Sequence, residues 1–201
     1  MAVGRAGYAP VIGLMLLTFP ACGGPQERKA QYRAKAQNYI QAGNFPKARV
    51  ALRNVLKIDP KDAEAYFLVA QVEEKEKNWR NAVANYQQVV DIVPDHKNAL
   101  VTLAKYYLEA HLVDQVTQAA DKILARNPHD PQAQALKIAV LAQQDKFAQA
   151  VVRAEELSRS YPTEPDVAIL LATLYGSRQR AQEAKAVLRR ALQVHPHHLD
   201  L

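Results

Sequence analysis

Residues 41–66 read QAGNFPKARVALRNVLKIDPKDAEAY, and the second proline in this stretch decides the fold. Pro60 is followed by Pro94, Pro128, Pro162 and Pro196, each 34 residues after the last. A fixed interval of this size marks an array of identical supersecondary units. Counting back from each proline gives five units: 29–62, 63–96, 97–130, 131–164 and 165–198. Small residues then fall into register, Ala36, Ala70, Ala104 and Ala172 in a first helix and Ala48, Ala82, Ala150 and Ala184 in a second. Two helices joined by a short turn approach closely only where the crossing residues are small. Large apolar partners flank the crossings: Tyr32, Tyr39, Phe45 and Leu52 in the first unit, and Tyr66, Val69, Trp79 and Tyr86 in the second. Leu103 and Tyr107 serve the third unit, and Leu171, Tyr175 and Leu188 the fifth. Proline closes each second helix, because it has no N–H and disfavours helix in the residue before it. The third unit departs locally with Val116 and Ala120, and the fourth with Lys137 and Ile138. The helices of the fourth unit are therefore expected to be displaced.

This register resembles the tetratricopeptide repeat, and the resemblance covers nearly everything after residue 24. It implies an all-α, right-handed solenoid of five helix-turn-helix units whose inner wall is built from first helices. Helices of about 13 residues are roughly 20 Å long. No single pair buries its apolar faces alone, so neighbours must stack. In the family, ligands lie along the concave wall at the second, fifth, ninth and twelfth places of each unit. Carried over, the candidate groove is Arg33, Gln37, Phe67, Gln71, Val101, Lys105, Leu108 and Ile169. Ile40, Glu64, Glu74, Asn98, Gln132, Ala135, Ala139, Ala142, Asp166, Thr173 and Gly176 occupy the remaining places. The Lys/Asn/Arg clamp with which one subfamily grips chaperone C-termini is not among them. Apolar groups facing a groove suit a peptide or helix from a partner protein. The alternative is that they pack on the next unit or a cap.

Residues 1–24 differ from the rest. Arg5 precedes an apolar run, Val11 to Phe19, and then Ala21, Cys22 and Gly23, the order of a secretory signal peptide. The run is too short to span a bilayer, which takes roughly 20 residues. Residues 25–28 read as a short linker and 199–201 as a terminal stub. Cys22, the chain's one cysteine, has no internal disulfide partner. It resembles the lipid-accepting cysteine of bacterial lipoproteins, although Phe19 and Pro20 stand where leucine and a small residue are usual. Ordinary cleavage after Gly23 and an uncleaved anchor remain alternatives. As a lipoprotein, the chain is expected on the periplasmic face of the outer membrane, since Gly23 is not an Asp-type retention signal. Leader and repeats together resemble Gram-negative envelope repeat lipoproteins, those of PEP-CTERM sorting and exopolysaccharide systems first and pilus-assembly lipoproteins second. The implied work is scaffolding an export machine.

The formal charge of +6 is uneven. The first unit carries eight basic residues against Asp59 and Asp62, the second is −3, the third and fourth neutral, and the fifth +3. Arg49, Arg53 and Lys57 form a stripe on the outer helix, either a solvated face or a tether to anionic headgroups. Nucleic acid is not expected, for lack of a recognised module. No phosphate loop, nucleophile elbow or zinc-type cysteine pair is present, so neither catalysis nor a cofactor is expected. His195, His197 and His198 flank Pro196 without a carboxylate and do not make a metal site. The apolar edge of the last pair (Leu171, Leu188, Leu192) is expected to be partly bare. That implies either a longer array or self-association.

Overall fold

The computed structural model describes residues 24–197. The leader with Cys22, His198 and the stub at 199–201 lie outside the described residues. Among those described, every regular element is a helix: α1 Pro25–Gln41, α2 Phe45–Ile58, α3 Ala63–Lys75, α4 Trp79–Ile92, α5 Lys97–Glu109, α6 Val113–Arg126, α7 Pro131–Gln143, α8 Phe147–Ser160, α9 Pro165–Gly176 and α10 Ala181–Val194. They form five antiparallel pairs stacked in chain order, each second helix packing on the first helix of the next pair. The expected linker at 25–28 is instead the first turn of α1, with Pro25 where the missing N–H is harmless.

Three local devices repeat every unit. The residues before the register prolines, Asp59, Val93, Asn127, Tyr161 and His195, all leave helical geometry, for example φ −137° and ψ 94° at Asp59. Next comes an N-cap: Asp62 Oδ1 accepts the Ala65 N–H at 2.9 Å, His96 Nδ1 the Ala99 N–H at 3.2 Å, and Asp130 Oδ1 the Ala133 N–H at 3.1 Å. Glu164 holds the same place without a side-chain cap, since its longer side chain does not close the ring. The third device has no mark in the sequence. Gly43, Lys77, His111, Asp145 and Gln179, 34 residues apart, all have φ between 57° and 68°. Each ends a first helix in a left-handed C′ turn, as where the Asn44 N–H reaches back to the Tyr39 carbonyl at 2.8 Å. Only one of the five is glycine.

The crossings of the first four pairs are as tight as the alanines require, with Ala36, Ala48, Ala70, Ala82, Ala104 and Ala150 all fully buried, whereas in the fifth pair Ala172 is buried and Ala184 half-buried. In the third unit Val116 and Ala120 are both fully buried as well. The larger residue has moved one turn along, conserving volume. In the fourth, Ile138 is buried where a small residue belongs, and α7–α8 is the least intimate of the five pairs. α7 compensates by touching α5 and α9 directly. Trp79 is 51% exposed rather than filling the core. The last pair is less bare than expected, because Leu171 is 3% exposed and Leu188 and Leu192 are half-buried.

Candidate functional site on the inner wall

Where α7 draws close to α5 and α9, the inner wall forms an open trough of about 600 Å³. Its floor is Ala135 and Ala139 on α7, and its apolar sides are Val101 and Leu108 on α5 and Ile169 on α9. The trough exists because the middle helix presents methyl groups where its neighbours present branched chains. Its rim is a polar bridge from the third unit to the fifth. Lys105 Nζ lies 2.6 Å from Asp166 Oδ1, and Gln132 Nε2 donates to Asp166 Oδ2 at 2.5 Å.

Four of the expected groove residues thus come together: Val101, Lys105, Leu108 and Ile169. Val101 is only 6% exposed, so it acts as a wall rather than a projecting anchor. Leu108 and Ile169 are half-buried. Phe67 lies elsewhere, half-buried, its ring 5.5 Å from Tyr86 and 5.1 Å from His96, where it joins the second pair to the N-terminus of α5. Phe67 therefore does not line the trough with Val101 and Leu108. Arg33 is bound to Asp62 at 2.5 Å, Gln37 is exposed and Gln71 half-buried, and none of the three lines the trough. The outer basic stripe is also divided. Arg49 donates to Glu73 at 2.9 Å and pairs with Glu76, while Arg53 and Lys57 stay exposed.

A second recess, about 400 Å³, adjoins the trough through shared Lys105 and Glu109. It is lined by Glu74 at the end of α3, Trp79 at the start of α4, and Thr102 and Tyr106 on α5. Both Glu74 oxygens accept tyrosine hydroxyls, Tyr86 at 2.7 Å and Tyr106 at 2.6 Å. Burial, and then the carboxylate beside them, push both phenols far above the ordinary tyrosine value of 10.0, so they stay protonated donors. Glu109 has no place in the sequence reading and Trp79 is read there as a crossing partner, because neither holds one of the four inner-wall places. Among the described residues no three His, Cys, Asp or Glu side chains are grouped to hold a metal ion. Nor, among them, is any helix long and apolar enough to cross a membrane.

Two family models, both described as tetratricopeptide repeat, match residues 33–97 and 74–138 and together span a little over half of the chain. No curated protein matches it. Solved structures share the fold. MamA (residues 41 to the end) from Desulfovibrio magneticus RS-1 superposes with a TM-score of 0.64 at 14% identity, covering 86% of this chain and 98% of that one. PilF of Pseudomonas aeruginosa gives 0.63 at 24% identity, with 85% and 78% covered. A thermophilic repeat protein of Thermus thermophilus gives 0.63 at 21%, with 88% and 94% covered.

Proposed function

Because the chain belongs to the tetratricopeptide-repeat family, whose fold suggests a protein–protein interaction scaffold, we propose that it holds a segment of a partner protein in the α5–α7–α9 trough. The observation that carries this reading is the trough itself: an open apolar floor of alanines flanked by Leu108 and Ile169, with a fixed polar rim. A floor of methyl groups has room for a bulky side chain or the face of a helix. The lipid-surface tether through the first unit has less support, because Arg49, one of its three stripe cations, is held by Glu73 and Glu76. In the fuller form of the proposal the scaffold is carried on lipid at Cys22 in a bacterial envelope and serves an export or exopolysaccharide assembly.

Ala139→Arg tests the trough. Ala139 lines the floor and is not fully buried, so the longer side chain extends into the open space. The variant is expected to keep thermal unfolding within a few degrees of the parent while losing at least about tenfold in crosslinked capture of its partner from envelope membranes. Unchanged capture would remove the trough as the binding surface.

A further inference from the structure

The recess beside the trough has the composition of a cation seat. Its aromatic wall is Trp79, whose indole, the best cation–π acceptor among side chains, is 51% exposed and 6.4 Å from the Tyr106 ring. Its carboxylates are Glu74 and Glu109. The one cation that lines it, Lys105, has its ammonium group on Asp166. Lys75, Lys77 and Arg80, close by in sequence, do not line it.

The repeat itself displays the occupied form. Phe147 stands two units, 68 residues, after Trp79 and begins its second helix in the same way. Over its ring, 5.1 Å from the centroid, lies the guanidinium of Arg178, supplied by the turn that follows the next unit's first helix. The residue equivalent to Arg178 beside Trp79 is Ala110, and the position before it is Glu109 in place of Ser177. At one junction the chain therefore supplies its own guanidinium to the aromatic. At the other it supplies a methyl group, an additional carboxylate and an open recess of about 400 Å³.

We propose that the Trp79–Tyr106–Glu74–Glu109 recess receives an arginine side chain of a partner protein whose apolar residues lie in the adjoining trough. The partner is thereby specified as a segment with an apolar face and an arginine beside it. This builds on the trough reading, and the two are separable. Trp79 is the chain's single tryptophan, so its fluorescence reports on the recess directly.

The probes are a synthetic amphipathic peptide of leucine and arginine at helical spacing and the same peptide with citrulline, a neutral isostere, for arginine. The arginine peptide is expected to shift Trp79 emission and to bind about tenfold more tightly than the citrulline peptide. Glu109→Lys, a change at an exposed position, should abolish that preference, while Ala139→Arg should weaken both peptides alike. Equal affinities for the two peptides, unaffected by Glu109→Lys, would overturn the arginine assignment and leave the trough reading standing if Ala139→Arg still weakens binding. A measurement on the free protein makes the decision independent of peptide design. With each ion's quenching normalised to its effect on free tryptophan amide, caesium should reach Trp79 better than iodide despite the chain's +6 charge, and Glu109→Lys should reverse that order. Iodide as the better quencher of the parent protein on that normalised scale would sink the proposal.

Discussion

Between the first and second helix pairs, charge does much of the joining. Lys29 reaches Asp62, the cap of α3, at 3.1 Å and, within its own pair, Asp59 at 2.7 Å; Arg33 reaches Asp62 at 2.5 Å, and Arg49 reaches Glu73 at 2.9 Å. Around the fourth pair the buried joining is apolar: Ala135, Ile138, Leu157, Val167 and Leu171 form one cluster running from α7 to α9, and ion pairs such as Lys137 with Asp121 lie at the surface. The difference teaches where solution conditions act. Asp62 and Glu73 have side chains only 4% and 8% exposed, so removing a partner leaves a nearly buried charge without compensation. An apolar contact responds to neither salt nor pH in this way. Both junctions have apolar cores, Leu52, Val55, Leu68 and Val72 forming that of the first, and the charged end differs from the apolar end in adding nearly buried carboxylates to its core.

The largest effect belongs to the apolar end. Leu171→Ala removes a side chain that is 3% exposed and should cost about 3–4 kcal/mol in denaturant unfolding. The loss should be the same at low and high salt. A loss that shrinks with salt would break the contrast.

At the charged end, Asp62→Ala deletes a helix N-cap and the acceptor for Lys29 and Arg33, and should cost about 2 kcal/mol near neutral pH. Its pH dependence follows from the shifts. Burial alone would raise the Asp62 carboxyl, but the Ala65 N–H, Lys29 and Arg33 outweigh burial and hold it below 3.8. Asp59 is lowered too, chiefly by its hydrogen bond from Lys29. A lowered acid stabilises fully above its ordinary value and loses that contribution as pH falls through the folded one. Lys29, raised by its bonds to the same carboxylates, contributes fully below 10.5 and loses that contribution as pH rises through its folded value. Glu164, by contrast, is raised by burial and then by Asp166. Its effect has the opposite sign, greatest below 4.5 and lost as pH rises through the folded value. Between about pH 5 and pH 3, hydrogen exchange should therefore show α1 and α2 losing protection while the N-terminus of α9 gains it. Equal changes at both ends would erase the distinction.

The smallest effect concerns the turns shared by both ends. Lys77 adopts φ 61°, a left-handed conformation that costs a non-glycine residue about 1 kcal/mol or more. Lys77→Gly should raise stability by about 0.5–1 kcal/mol, read as a rise in unfolding midpoint. Gln179→Gly, with φ 60° in the last pair, should give a similar gain.

Much of this architecture was legible because it is local. Prolines, caps and alanine crossings act over a few residues, so a period in the sequence becomes a period in the fold. The inner-wall places were legible in the same way, and Lys105, Leu108 and Ile169 do meet in the trough. Phe67 does not join them, because the same place in a unit faces a different neighbour when the next pair begins with a histidine cap against which the ring packs. The left-handed turns were missed because lysine, histidine, aspartate and glutamine occupy a conformation usually marked by glycine.

By itself the sequence determined an all-α array of helix pairs and where each second helix stops. Only the tertiary structure decided which charges remain available. Arg33 and Asp62 are 29 residues apart, Arg49 and Glu73 24, and Lys105 and Asp166 61, and only the packing of the helices on one another brings the partners of each pair together. It also decided that α7 comes close to α5 and α9 and opens a trough over its alanines, and that Trp79 stands half in solvent. The reason is the range of the forces. A proline or a cap acts on its own turn of chain, whereas an ion pair or a cavity depends on how the side chains of several units sum.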